Sequence, residues 1–299
     1  MAIYYLSDGI KWAAQNVNIK RRAIRLRSHK LAVNLIERSI FGDLSLIGIQ
    51  GPPGTGKTSV LEEFARRKLD DVMKESMLLI YIAPTNHLVF EAFRRMARMM
   101  LQEGYNIRDI LICTRVYGSK IYPARRGASV NIGGTKYMYE DFKVLSSTLD
   151  PTTVRLVFAT EFQRVLGKVK DMSQMPENIH LIVDEASKTP FFRPFLSIAD
   201  AIVRDPEKYP ISLSVLGDPQ QAITVPEAMK VYRVPLLMNH VHEVLGAHGM
   251  LDAFHMLDTT FRLPKPSEDP VSFGYYDKRL RAYFSARERI EHIRDAYLD

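Results

Sequence analysis

Short apolar runs alternate along the chain with longer stretches of helical periodicity. Leu44–Gln50, Met77–Ala83, Ile110–Arg115, Val154–Ala159, Ile179–Asp184 and Ser212–Leu216 are mostly near-continuous in apolar residues. Runs of this length suit strands covered on both faces, where polar alternation is not needed. Between them Lys57–Val72, His87–Glu103, Thr160–Val169 and Pro190–Val203 read as helices. Alternation of this kind predicts an α/β chain with a parallel sheet flanked by helices through right-handed crossovers. The Met-rich stretch Arg94–Leu101 is expected to face the core, with Met96, Met99 and Met100 as adaptable packing. Residues 116–150 break the pattern, and glycines at 118, 127, 133 and 134 mark an inserted loop. Three prolines in Leu263–Pro270 mark a linker or turn.

The first apolar run leads into Gly51-Pro52-Pro53-Gly54-Thr55-Gly56-Lys57-Thr58-Ser59, a full GxxxxGK[ST] match between a predicted strand and a predicted helix. Glycines let backbone N–H groups turn inward around phosphate oxygens, and the helix dipole adds to that field. Lys57 is expected to reach the β and γ phosphates and the Thr58 hydroxyl to ligate Mg²⁺. The run Ile179–Val183 ends at Asp184-Glu185-Ala186-Ser187, at the strand edge where open parallel sheets bind ligands. Asp184 suits a Mg²⁺ ligand and Glu185 the base for the attacking water. Taken alone, DEAS also suits a helix N-cap with an acidic first turn. Behind a phosphate loop, the catalytic reading dominates.

Composition narrows the classes further. No stretch of the 299 residues approaches the roughly 18 apolar residues of a membrane span. The opening MAIYYLSDGIKWAAQN lacks the form of a secretory leader, so an intracellular location is expected and no membrane partner. A lone Cys113 excludes an intramolecular disulfide and a cysteine-based zinc site. His240, His242, His248 and His255 lack the spacing of a metal site and are taken as structural. A net charge of +7 favours acidic partners. The densest basic block, Lys20–Lys30, reads as an amphipathic helix with snorkelling side chains. A second group, Arg115, Lys120, Arg125, Arg126 and Lys136, is interleaved with Tyr117, Tyr122, Tyr137 and Tyr139. That composition fits either a single-strand surface with stacking aromatics or a solvated loop whose tyrosines pack on the domain.

In order, GPPGTGKT (51–58), APTNHLV (83–89), FAT (158–160), VDEAS (183–187), GDPQQ (217–221) and LDTTFRLP (257–264) resemble motifs I, Ia, Ic, II, III and IV of superfamily-one helicases. DEAS and FRLP look most like the branch of the nonsense-mediated-decay helicase, and FGYYDKRL (273–280) resembles the stretch after motif IV. The resemblance implies a RecA-like P-loop NTPase domain over 1–256 and the start of a second such domain over 257–299. It implies that Gln221 contacts the γ phosphate and that Arg262 stabilises transition-state charge. It places Pro84, Thr85, Asn86 and Thr160 along a single-stranded backbone. His29 stands where the family has its adenine-reading Gln, and Thr260 where it has the Gln of QYR. The expected cofactors are ATP and Mg²⁺, and the expected partner is single-stranded DNA or RNA. The function expected is the motor half of an ATP-dependent helicase or translocase, completed by a second RecA-like half or a partner protein. The alternatives are a stand-alone ATP-dependent nucleic-acid-binding module and a regulatory or assembly ATPase.

Overall fold

The computed structural model describes residues 25–118, 125–204, 211–221 and 234–297. In chain order the first nine strands are β1 (Leu46–Gln50), β2 (Met77–Ala83), β3 (Thr114–Tyr117), β4 (Ser129–Ile132), β5 (Thr135–Met138), β6 (Leu156–Thr160), β7 (Asn178–Val183), β8 (Ile211–Gly217) and β9 (Phe254–Met256). Seven of them form one sheet in the order β3-β6-β2-β7-β8-β1-β9. Every pairing in it is parallel. β2 is buried at every position and β6 likewise, which is why their sequences do not alternate.

The main helices are α1 (Arg27–Phe41), α2 (Lys57–Lys74), α3 (Asn86–Gln102), α4 (Ile107–Cys113), α5 (Tyr139–Leu145), α6 (Ala199–Arg204) and α7 (Leu237–Ala247). α1 packs on β1 and β8, α3 on β2 and β6, and α7 on β1 and β8. Met99 and Met100 of α3 are buried, so the Met-rich run does face the core. α1 is amphipathic and buries Ala32, Val33, Leu35 and Ile36, while the basic residues 20–22 ahead of it lie outside the described residues.

Four expectations about elements need correcting. Pro190–Val203 is not one α-helix: a 3-10 run over Arg193–Ile198 precedes α6, which starts at Ala199. Ile110–Arg115 is not one strand: α4 ends at Cys113 and β3 begins at Thr114. Asn106 and Asp109 form a capping box that starts α4 and outweighs the β-branched content of IRDILIC. Thr160–Val169 is not a continuous helix but a turn followed by a 3-10 turn at Leu166–Lys168. Residues 116–150 are no bare loop; the antiparallel β4–β5 hairpin and α5 occupy much of that stretch. Tyr137 is fully buried there, tilted against Phe142 and edge-on to Phe93.

The aromatic-basic segment therefore divides. Tyr117 is buried with its hydroxyl donating to the Ser147 carbonyl at 2.9 Å. Arg115 is buried and donates to the Leu111 and Thr114 carbonyls at 2.8 and 2.7 Å. These residues hold the domain together and offer no stacking face. Arg125, Arg126 and Lys136 are exposed, and Lys120 and Tyr122 lie outside the described residues.

The four clustered histidines also make local contacts. His240 lies against Phe191 and His242 against Phe254, while His248 Nδ1 donates to the Val244 carbonyl and His255 Nε2 to the Ser28 carbonyl.

Beyond β9 the chain adds a short parallel pair, β10 (Thr259–Thr260) with β11 (Arg281–Ala282), and two helices, α8 (Asp269–Tyr275) and α9 (Ala286–Tyr297). Leu257 still belongs to the main core, whereas Phe261 and Phe284 form one small cluster and Tyr276 and Leu280 form another with Met256 of β9.

His180 of β7 reaches Ser212 through Nδ1 and Ser214 of β8 through Nε2, the latter at 3.1 Å. Burial pushes its imidazole down to about 3, so the folded protein keeps it neutral while the unfolded chain takes up a proton below about 6.5. Stability from this group is complete above the unfolded value and is lost as pH falls from about 6.5 toward 3. We expect unfolding free energy to drop on acidification, and His180→Asn to remove up to about 1.4 kcal/mol per pH unit of that slope. Chemical denaturation of both proteins between pH 5 and 7 measures it, and equal slopes would refute the assignment.

Candidate nucleotide site

Because all seven strands point the same way, the loops after β1, β2, β6, β7 and β8 open on one edge of the sheet. That edge gathers residues that are far apart in sequence: the phosphate loop, Pro84–Asn86, Thr160, Asp184–Glu185 and the Gly217–Gln221 turn.

The phosphate loop is built by its own short-range bonds. The Thr55 hydroxyl donates to the Pro52 carbonyl at 2.8 Å, and the Ser59 N–H donates to the Gly56 carbonyl at 2.9 Å. Gly56 is left-handed at φ 90°, and α2 begins at the next residue with no side-chain cap and no acidic residue in its first turn. That leaves the first amides of α2 and the positive end of its dipole to an anion. The Lys57 ammonium donates to the Gly51 carbonyl at 2.9 Å and lies 3.9 Å from Glu185 Oε1. Thr58 is exposed and Ser59 is buried.

Asp184 and Glu185 sit at the end of β7, and their environments differ. Asp184 is buried; its Oδ2 accepts from the Tyr81 hydroxyl at 2.8 Å and its Oδ1 from the Glu185 N–H at 2.9 Å. Burial pushes the Asp184 carboxyl above its usual range, opposed by the Tyr81 hydrogen bond and by the Lys57 charge. A cation at this carboxylate would reverse the burial effect. Glu185 adopts a left-handed φ of 53°, a strained setting for a non-glycine residue. Its Oε2 is buried with no hydrogen-bond partner, and Lys188 Nζ stands 3.4 Å away. Oε2 thus pairs with the Lys188 charge without taking a hydrogen bond. Thr58 and Asp184 both line the same cavity, and a hydroxyl and a carboxylate are oxygen donors of the kind a hard divalent cation takes.

The Gly217–Gln221 turn is tied to the phosphate loop by the backbone: the Gly51 N–H donates to the Gly217 carbonyl at 2.8 Å. Asp218 is fully buried and accepts from Gln50 Nε2 at 3.3 Å, the Gln220 N–H at 3.2 Å and the Tyr276 hydroxyl at 2.6 Å. Gln221 is half-buried and donates its N–H to the Asp218 carbonyl at 3.1 Å. A Cβ at Gly217 would stand 2.9 Å from the Ser187 nitrogen, so the turn sits directly on the DEAS loop.

From the other side, the Phe261 N–H donates to the Gly54 carbonyl at 3.0 Å and the Thr260 hydroxyl to the Pro53 carbonyl at 2.9 Å. This brings the Arg262 backbone against the loop, while Arg262 itself is exposed. His29 is buried on α1; its Nε2 lies 2.6 Å from the Thr55 carbonyl, its ring meets Phe261 edge-on, and its Nδ1 has no hydrogen-bond partner. Desolvation lowers the imidazole from its ordinary value, so neutral His29 can donate from Nε2 to the loop. In this arrangement His29 braces the phosphate loop.

The residues expected along a nucleic-acid backbone occupy the ends of β2 and β6. Thr85 caps α3 by accepting the Leu88 N–H at 3.3 Å and is exposed, with Pro84 and Asn86 half-buried. Thr160 pairs with Ala83 in the sheet and is buried.

Some participants went unread in the sequence: Tyr81, Gln50 and Tyr276. A single hydroxyl in MLLIYIA and a single amide before Gly51 were the available signals. Tyr276 had none, because its partner Asp218 is distant in the chain.

Gly54 combines a left-handed φ of 75° with a neighbour that a Cβ would meet at 2.3 Å, the Cβ of Arg262. We expect Gly54→Ala to destabilise the fold by about 1–3 kcal/mol through backbone strain and displacement of the Arg262 segment. Thermal denaturation checks this, and an unchanged midpoint would mean the segment is not seated on the loop.

No curated protein matches the chain. Among solved structures it is similar to the arterivirus nonstructural protein 10, a helicase, in complex with DNA, at 16% identity and a TM-score of 0.36. The likeness covers 82% of this chain and 41% of that one, so this chain spans about two fifths of that protein's length. A family described as an AAA domain matches residues 41–227, a span holding the phosphate loop, the acidic pair and the Gly217–Gln221 turn. The chain belongs to that AAA domain family.

Proposed function

We propose that this chain is the ATP-hydrolysing half of a nucleic-acid helicase or translocase, turning over ATP when single-stranded DNA or RNA is bound. One observation carries the hydrolytic part. Lys57, the buried acceptor of Glu185 and the Gly217–Gln221 turn meet at one sheet edge, with Lys57 3.9 Å from Glu185 and a backbone bond joining Gly51 to Gly217.

In this reading the loop amides and Lys57 bind the β and γ phosphates. Glu185 accepts a proton from water as its oxygen attacks the γ phosphorus, and the bond to the β-bridging oxygen breaks to give ADP and phosphate. Mg²⁺, held by Thr58 and Asp184, would neutralise charge on the phosphate oxygens. Arg262, exposed beside Gly54, would stabilise the charge that develops there. Gln221 would contact the γ phosphate and couple its loss to the nucleic-acid site.

The polymer reading rests on the neighbouring loops. Exposed Thr85 and half-buried Asn86 open α3, where hydroxyl, amide and helix N-terminus suit phosphate oxygens. Just beyond Thr160, Phe162 is 60% exposed, with the Arg193 guanidinium 4.7 Å from its ring centroid and pinned to buried Glu161 at 2.6 Å. An exposed ring beside a fixed cation offers a stacking face for a base. We read 257–299 as the opening elements of a second RecA-like domain, on the ground that Phe261, Tyr276, Leu280 and Phe284 pack in two small clusters outside the main core, one of them shared with Met256 of β9. A further half or a partner protein would then complete the motor.

The test is ATP hydrolysis with and without single-stranded DNA and RNA. Wild type should be stimulated by one polymer. Lys57→Ala and Glu185→Gln should each lose about 100-fold or more in turnover, and Glu185→Gln should retain nucleotide binding. Absence of nucleotide binding by the wild type would sink the reading, and turnover indifferent to either polymer would reduce it to a plain nucleotide hydrolase.

A further inference from the structure

The Asp184 carboxylate is held at both oxygens, and the more distant of its two donors comes from another strand. Oδ1 takes the N–H of the adjacent Glu185 at 2.9 Å, a bond within the turn itself. Oδ2 takes the hydroxyl of Tyr81, a buried residue of β2, at 2.8 Å. β2 and β7 are paired so that Tyr81 stands opposite Ile182, two residues before Asp184.

The surroundings make that hydroxyl hard to replace. Asp184 and Tyr81 share the wall of a cavity of about 70 Å³ with apolar Leu61, Phe64, Ala92, Met96 and Phe158. These apolar side chains offer no donor to a carboxylate, and a carboxylate left facing them favours its neutral form. Arg95 also lines the cavity, but its guanidinium is engaged with Glu62 at 3.0 Å.

We infer that Tyr81 is a positioning residue for the divalent cation, locking the Asp184 carboxylate in the orientation in which it shares that cation with Thr58. The inference rests on the nucleotide-hydrolase reading above. Ligating carboxylates depend on such outer hydrogen bonds for orientation. The same bond links Asp184 to the strand that leads into Pro84–Asn86.

The experiment is a Mg²⁺ titration of the full chain with a fluorescent adenine nucleotide, read as binding at equilibrium and repeated in EDTA. Tyr81→Phe removes one oxygen and keeps the ring. We expect its Mg²⁺ midpoint to rise about 10-fold or more, with nucleotide affinity in EDTA unchanged. In an Asp184→Asn background, Tyr81→Phe should add nothing further. A midpoint equal to wild type, or an equal loss with and without Mg²⁺, would overturn the positioning role, the second by showing that Tyr81 merely supports the fold. If the wild type itself shows no Mg²⁺-dependent nucleotide binding, the hydrolase reading falls and this inference with it.

Discussion

The parallel direction of the sheet is the constraint on which the site depends. Parallel strands need a crossover between neighbours, and each crossover leaves its loop at the same edge. Five such loops, after β1, β2, β6, β7 and β8, therefore meet although their residues run from Gly51 to Gln221. The register does the fine alignment. β1 lies beside β8 with Gln50 opposite Gly217, so the Gly51 N–H meets the Gly217 carbonyl and the two turns become one backbone unit. A slip of one residue would exchange faces along the strand and break that bond together with the core.

Buried polar groups then set the site's shape. Asp218 is fully buried and collects donors from β1, from its own turn and from Tyr276. The Tyr276 hydroxyl is pushed up by burial and by its bond to Asp218, so it stays a donor. His29 plays a similar part at the phosphate loop, reaching the Thr55 carbonyl from α1. In each case an unpaired buried group would cost more than its bond contributes, which ties these positions to one geometry. Glu185 Oε2 is buried without a hydrogen bond close to Lys57, at the edge where the phosphate loop lies.

The segment after β9 is drawn into the same arrangement by backbone and side-chain bonds as well as by Leu257 in the main core. Phe261 and Thr260 bond to carbonyls of the phosphate loop, and Ser28 of α1 donates to Asp258 at 2.8 Å. Its other buried apolar residues sit in two small clusters. Arg262 thus approaches the phosphate loop through contacts at a few atoms, an attachment that a change at the loop can move.

Much was legible from sequence because local physics dictates it. Continuous apolar runs marked β2, β7 and β8, the glycines and Lys57 marked the phosphate loop, and DEAS marked the edge of β7. Reading failed where a local signal was short or misleading. The Asn106–Asp109 capping box turned an apparent strand into α4, and the basic-aromatic stretch proved partly core, with Tyr117, Tyr137 and Arg115 buried. By itself the sequence determined the strand–helix alternation and the chemistry of each loop, since periodicity and backbone freedom are properties of neighbouring residues. Only the tertiary structure decided that Tyr81 holds Asp184, that Tyr276 and Gln50 hold Asp218, and that His29 braces the phosphate loop. Those pairings join residues far apart in the chain, and strand order and register, not local propensity, bring them within bonding distance.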